Sequence, residues 1–557
     1  MAGQGSNVAL LVSLQVAWLL FAAGGVFPAT AATAGASEKR LKILYYTAAD
    51  DGSHHLTNTK IASALVARGH SVTFLLSASC TKWQNASGSE QFDFRVYNSL
   101  YTGERRGRNL GGLSRAGLRG EMHGLWRMTM SFLRNLRSPQ NMYRFHYDEC
   151  DTLLGDSATL RQLREDAYDL LVGEDLSNCN PLLAEKLDLP FVLVGDMGII
   201  PSKGSWHGVP RHPAYIPERQ LGLSDNMNLP QRMLNTYMYF MHDFFRRFHV
   251  HQEMGPLQRK HGLSPDKSFS ELQARAQLFI FYGDFGLEYA RPLQPNVILV
   301  SSPMLGQPSE DEIPADQQEF MDSATEGVVL FTLGSHVNVM EHAQAQMFAD
   351  GLAQLRQRVL WQFTGNTTGL RLGQNTKVVR WFLQQKIMAH PNARALLSHG
   401  GLNGLYEAAW CGLPIVGIPL FGDQFDNMLR AETKGMGLQL DITRITPDLL
   451  STTVTRVIEE PSFRATAQHI SRIFRDEPVL PADKAAFWIA HVGKYGGAHL
   501  RPRAADLTLV EYALLDVYAL LAVILAAVAG AVYLAGRGCL RCACACLSKR
   551  TAKLKTN

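Results

Sequence analysis

The chain has 557 residues, 46% hydrophobic and 19% charged, a globular balance that excludes a disordered or fibrous protein and leaves room for two or three domains. Its net charge is +4, yet six bases (Arg537, Arg541, Lys549, Arg550, Lys553, Lys555) follow Gly536 with no acid among them, leaving 48 bases against 50 acids elsewhere. The basicity therefore belongs to a tail and not to a stripe on a folded body, which excludes a nucleic-acid footprint.

Val8 to Val26 is almost wholly apolar, and small residues follow at Ala29-Thr30-Ala31 and Ala34-Gly35-Ala36. Residues 1–36 read as a secretory signal cleaved near Ala31 or Ala36. No Lys or Arg precedes Lys39, so an uncleaved anchor is the competing reading.

Leu41 to Ala48 predicts a strand, Leu56 to Arg68 a helix closed by Gly69, and Ser71 to Ser77 a second strand. This is a βαβ unit, hence a parallel sheet covered by helices. Tyr168–Gly173 and Phe191–Val194 add strands. Gln231 to Met254 is crowded with Tyr237, Tyr239, Phe240, Phe244, Phe245 and Phe248. It reads first as a buried helix, and otherwise as the lining of a lipophilic acceptor pocket or a face against a membrane.

Residues 37–300 are the first domain, and 301–326, rich in Pro, Ser, Asp and Gln, the linker. A second series spans 327–480. Its predicted strands are Val328–Leu333, Val359–Phe363, Lys377–Arg380, Ala395–Ser398 and Pro414–Ile418, with a helix over Ala343–Gln357. The fold class is α/β, two doubly wound Rossmann-like domains facing a cleft. Residues 481–516 are expected as helices returning to the first domain and the membrane.

Val517 to Gly536 is twenty residues without a charge, about 30 Å as a helix, the thickness of a bilayer core. The basic tail, 537–557, should face the cytosol and the body the lumen. Lys553-Leu-Lys555-Thr-Asn557 resembles the dilysine signal that returns type I proteins to the endoplasmic reticulum, and a solvated basic end is the plain alternative. Asn85-Ala-Ser87 and Asn366-Thr-Thr368 are sequons, usable only on a luminal body. Four cysteines lie in the body and four in the tail. The scattered four make no disulfide framework. The tail set is read as palmitoylation sites, with zinc binding as the other possibility.

Chemistry concentrates around Ser398-His399-Gly400-Gly401-Leu402-Asn403, where a strand meets a helix. Backbone N–H groups and the helix dipole favour a phosphate there, with His399 as a further donor. Asn403 and Glu407 share a helix face, and a carboxylate one turn on could accept ribose hydroxyls. Trp381 can stack on a base and Gln384 can pair with its edge. Asp423 and Gln424 suit sugar hydroxyls at the carboxyl end of a strand.

The 44 residues from Trp381 through Gln424 fit, without a gap, the signature of the UDP-glycosyltransferase family, which includes the membrane-bound UDP-glucuronosyltransferases. The similarity extends through Phe331-Thr-Leu-Gly334-Ser335 and Ala486-Phe-Trp488-Ile. It implies a GT-B fold whose second half binds a UDP-sugar. It implies Trp381 on uracil, Gln384 on the nucleoside and Glu407 on ribose. Ser335, His399, Gly401 and Asn403 would surround the diphosphate, and Asp423 and Gln424 the sugar. Phe382-Leu383 departs from the usual Leu-Pro. Met227-Asn-Leu-Pro-Gln-Arg-Met233 and Leu420-Phe-Gly-Asp423 look like the ceramide galactosyltransferase branch, but Gln424 stands where that branch has His. Gln there is usual with glucuronic acid or glucose.

The reaction needs a base, and His suits neutral pH. Ser53-His54, sixteen residues before His70 of Arg68-Gly69-His70, matches the family interval, so His54 and not His55 is the expected base. Relatives place Asp-Pro at Glu174-Asp175; Glu174 is the expected partner and Asp175 the alternative. No Asp-x-Asp pair, Walker A, HExxH or GxSxG occurs, so no resident cofactor or metal is expected and UDP-sugar is the co-substrate. The resemblance implies inverting transfer, most readily of glucuronic acid or glucose, to a hydroxyl of a lipophilic acceptor. UDP-galactose-dependent glycolipid synthesis and a non-catalytic UDP-sugar-binding subunit are the rivals. A homo- or hetero-oligomer is compatible with either.

Overall fold

The computed structural model describes residues 39–47, 52–103, 112, 114–122, 142–306, 311–334, 337 and 340–554. The signal region, Ser335 and Lys555 lie outside them.

The first lobe contains β1 (Lys42–Tyr46), α1 (Ser53–Ala67), β2 (Ser71–Ser77), β3 (Asp93–Tyr97), α2 (Met142–Gly155), β4 (Leu170–Glu174), α3 (Asn180–Leu187), β5 (Phe191–Gly195), α4 (Leu229–His261), β6 (Leu278–Tyr282) and β7 (Val297–Val300). The seven strands are parallel in the order β3-β2-β1-β4-β5-β6-β7. Central strands such as LLVGE, FVLVG and LFIFY are buried throughout. That is why they read as continuous apolar runs and not as alternation. The order reverses between β1 and β4, opening a crevice at the carboxyl ends of those two strands.

The second lobe contains β8 (Val328–Thr332), β9 (Arg358–Gln362), β10 (Thr376–Val379), α5 (Gln384–Met388), β11 (Ala393–Ser398), α6 (Leu402–Trp410), β12 (Ile415–Gly417), α7 (Gln424–Thr433) and β13 (Gly437–Gln439). Its strands are parallel in the order β10-β9-β8-β11-β12-β13, so the switch point lies between β8 and β11. The helix expected over 343–357 spans only His342–Leu352. Gly351 packs too tightly against Pro447 for a side chain, and the chain then turns into β9.

Contacts between the lobes come from segments that follow strand carboxyl ends. Asp284, past β6, donates its N–H to Tyr406 Oη at 2.9 Å. Gln220, past β5, donates from its backbone to Asp426 at 2.8 Å and from its amide to the Gly422 carbonyl at 3.1 Å. Arg430 pairs with Glu288 at 3.2 Å. The two crevices therefore open toward one another.

After the second lobe, α8 (Pro481–Tyr495) returns to the first. Ala486 and Ile489 join the core with Leu41 and Ile61, and Arg68 pairs with Asp483 at 3.6 Å. A final helix, α9 (Leu515–Leu554), contains the stretch Leu515–Ala545, long and apolar enough to cross a membrane and unburied along its length.

The aromatic segment is helical but not a buried helix. α4 starts at an Asn228/Gln231 capping box and ends at Gly262 in the left-handed conformation. Tyr239 is buried, whereas Met233, Tyr237, Phe240, Phe244 and Phe248, spaced three or four apart, form an exposed stripe. The expectation of a buried helix fails because core contacts use only one side of so long an element.

Candidate functional site

His54 enters α1 just after Gly52, whose φ of 56° turns the chain from β1 into the helix. Its ring is one quarter exposed, and Nδ1 lies 2.5 Å from Glu174 Oε1. Glu174 ends β4, so base and acid flank the crevice at the switch point. The following loop is fixed: Asn180 donates to the Glu174 carbonyl at 2.7 Å, and Gly173 leaves room for that amide. Burial pushes the Glu174 carboxyl up, Asp196 adds to this, and His54 opposes it. Burial would depress His54, but the Glu174 and Asp196 carboxylates outweigh it and hold the imidazole well above its ordinary value.

Asp175 is turned away from His54. It pairs with Lys203 at 2.8 Å and His207 at 3.2 Å, and accepts from Gln273 at 2.8 Å, all buried. Although burial opposes it, this pairing holds the Asp175 carboxyl below its usual range. His55 is also elsewhere: it stacks on Trp83 at 4.3 Å, and burial lowers it to about 4.

Asp196 was not among the residues singled out from the sequence. It follows β5, beside β4, and its Oδ2 lies 3.2 Å from His54 Nδ1. The legible signal was an acid immediately past an apolar parallel strand, where α/β sheets place ligand-facing groups. A Cys150–Cys179 disulfide was likewise missed; it joins α2 to the start of α3, with Cα atoms 5.5 Å apart. Four cysteines permit several pairings, and only the fold brings these two together.

In the second lobe the ring of His399 lies between two glycines. A Cβ on Gly334 or Gly401 would fall 2.7 or 2.6 Å from ring atoms. His399 follows β11 and Gly334 follows β8, so the imidazole occupies that lobe's switch point. α6 begins at Gly401 with no side-chain cap, leaving its first N–H groups for an anion. Asn403 accepts from Ser302 at 2.9 Å. Gln384 donates to Glu407 at 2.6 Å. Burial raises the Glu407 carboxyl to about 7, against that hydrogen bond.

Trp381 is 54% exposed, offering a ring face, whereas Phe382 is in the core. Asp423 accepts from Asn427 at 2.8 Å. Gln424 is buried, and its Oε1 accepts from the Leu420 and Phe421 N–H groups at 2.9 and 3.1 Å. Gln424 thus holds the turn that carries Asp423 and has only its NH2 to offer elsewhere. The second lobe therefore gathers an uncapped helix N-terminus, a histidine, an amide–carboxylate pair and an exposed indole around one crevice, a donor set suited to a nucleotide diphosphate.

Two facing doubly wound lobes of this kind are the GT-B architecture. Solved structures share the architecture: the glycotransferase of kitacinnamycin superposes with a TM-score of 0.57 at 17% identity over 81% of this chain and 99% of its own. Glycosyltransferase VinC in complex with DTDP gives 0.55 at 17% over 82% and 100%. Residues 42–553 match the family model UDP-glucoronosyl and UDP-glucosyl transferase, and the chain belongs to that family of UDP-dependent glycosyltransferases. Among curated relatives, 2-hydroxyacylsphingosine 1-beta-galactosyltransferase of Rattus norvegicus is 33% identical over 84% of this chain and 82% of its own. UDP-glucuronosyltransferase 2B15 of Homo sapiens is 33% identical over 88% and 91%.

Proposed function

We propose that this enzyme transfers a sugar, glucuronic acid or glucose first, from a UDP-sugar to a hydroxyl of a lipophilic acceptor with inversion, using His54 as base and Glu174 as its partner. The observation that carries the reading is the 2.5 Å contact between His54 Nδ1 and Glu174 Oε1 at the first-lobe switch point. With Nδ1–H directed at Glu174, Nε2 is left to take the acceptor proton. As it does, the acceptor oxygen bonds to the anomeric carbon. The bond from that carbon to the β-phosphate oxygen breaks, and its electron pair leaves with UDP. In-line displacement turns an α-linked donor into a β-glycoside.

The leaving diphosphate sits at the α6 N-terminus beside His399, which stabilise the developing charge with no call for a metal. Trp381 stacks on uracil, Gln384 and Glu407 take the nucleoside and ribose, and Asp423 with the Gln424 NH2 takes sugar hydroxyls. Asn403 and Ser335 complete the phosphate contacts. Gln424 supports glucose or glucuronic acid. A second reading, galactose transfer to a sphingoid lipid, draws on the rat relative and on Leu420-Phe-Gly-Asp423.

The exposed aromatic stripe of α4 supports a lipophilic acceptor drawn from, or presented at, a membrane. α9 supports a single span, and the disulfide supports an oxidising luminal compartment such as the endoplasmic reticulum. UDP release from each of UDP-glucose, UDP-glucuronic acid and UDP-galactose, with phenols, sterols and ceramides as acceptors, tests the reading. His54→Ala should lower kcat by about 10²-fold or more while leaving UDP affinity within twofold. An unchanged kcat would remove His54 as base.

A further inference from the structure

His54 Nδ1 has two carboxylates around it where a simple dyad has one. Glu174 Oε1 approaches at 2.5 Å from the end of β4, and Asp196 Oδ2 at 3.2 Å from the residue after β5. One atom from each of the three side chains lies within 4.8 Å of the other two. Both acids are buried, with side chains 1% and 3% exposed. The other faces of the cluster carry no cation among the described residues. Asn58 of α1 donates to Asp196 Oδ2 at 3.4 Å and accepts from Tyr45 Oη of β1 at 2.9 Å. Tyr282 of β6 faces Asp196. Asp175, the residue after β4, is spent on Lys203 and His207.

Two carboxylates this close in a dry site do not both stay ionised without a compensating proton. The nearest compensating group is the imidazole between them. An extra anion at Nδ1 stabilises the imidazolium and so delays the deprotonation that a base needs. It also makes the base stronger once free.

We infer that Asp196 is a positioning residue of the His54 base, sharing Nδ1 with Glu174 and setting the pH above which transfer runs. This rests on the reading of His54 as base. Asp196 touches no substrate in this account; it acts through His54. Proton accounting is unchanged: the acceptor proton goes to Nε2, and the carboxylate pair holds the resulting charge.

The test is the pH dependence of kcat for UDP release by the full chain in detergent, wild type against Asp196→Asn. Asn keeps the size and the Asn58 contact but removes the charge. The acid limb should move down by about one pH unit, the low end for a lost neighbouring charge. At pH values below the wild-type limb the variant should be the faster enzyme, a gain that damage to the fold would not give. Asp196→Glu should restore the wild-type limb. Should Asp196→Asn fold poorly, Asp196→Ser removes the same charge in a smaller side chain and should shift the limb alike. A limb that stays in place while the plateau drops in these variants would overturn the inference and leave Asp196 a structural residue.

A second readout needs no turnover. Diethylpyrocarbonate acylates imidazole only in its neutral form, and the pH midpoint of that modification on the His54 peptide, read by mass spectrometry, should fall by the same amount in Asp196→Asn. If the wild type releases no UDP with any substrate pair, the functional reading fails while this midpoint still decides on Asp196. Equal midpoints in the two proteins would contradict it.

Discussion

Each side chain in and beside the two crevices has a physical reason for where it sits. Burial raises Glu407 to about 7, and the proposed ribose contact, accepting from two hydroxyls, is best made by the ionised carboxylate. UDP affinity should therefore weaken as pH falls through about 7, and Glu407→Gln should bind UDP more weakly with a flatter pH profile; titration calorimetry between pH 6 and 8 checks both. His399 is wedged by Gly334 and Gly401, so Gly401→Ala should displace its ring and reduce UDP affinity by about tenfold, the worth of one charge-assisted contact. Asp175 has a folded value below its ordinary one, so the stability it lends is full above the ordinary carboxylate range and is lost as pH falls from that range through the depressed folded value. Asp175→Asn should cost stability, about 3–5 kcal/mol for a broken buried pair with Lys203, visible as a lower denaturation midpoint. Glu174→Gln should instead lower kcat with the midpoint nearly unmoved. The second-lobe residues could be singled out because they lie in one contiguous stretch, Trp381 to Gln424. Asp196 could not, because it meets His54 only through strand order, from 142 positions away.

At the scale of elements, β1, α1, β2, β4, β5 and most strands of the second lobe were readable from apolar runs bounded by turn residues. β3 and β13 were not: DFRVY alternates charge with apolar residues at a sheet edge, and GLQ is only three residues long. β6 and β7 are short apolar runs that periodicity cannot separate from buried helix. α4 looked like core because aromatic density alone does not say which side of a helix is covered. The Cys150–Cys179 bond ties α2 to the loop that presents Glu174. Replacing both cysteines with Ser should lower stability by about 2–4 kcal/mol and loosen that loop, seen as faster hydrogen exchange at residues 174–180.

The whole molecule is two switch-point crevices turned toward each other, one holding the His54–Glu174 pair and the other the α6 N-terminus with His399, followed by a helix able to cross a membrane. Asn85 and Asn366 are both exposed, as glycan attachment on a luminal body requires. Asn85→Gln and Asn366→Gln should each remove one endoglycosidase-sensitive step in gel mobility. The full chain should resist alkaline carbonate extraction, and a chain ending at Thr508 should be released by it. Single-displacement transfer from a UDP-sugar by a histidine base fixes the anomeric configuration of the glycoside formed with each released UDP. A β-glycoside is expected, read by proton NMR as a large H1–H2 coupling on the anomeric proton. An α-glycoside would contradict it.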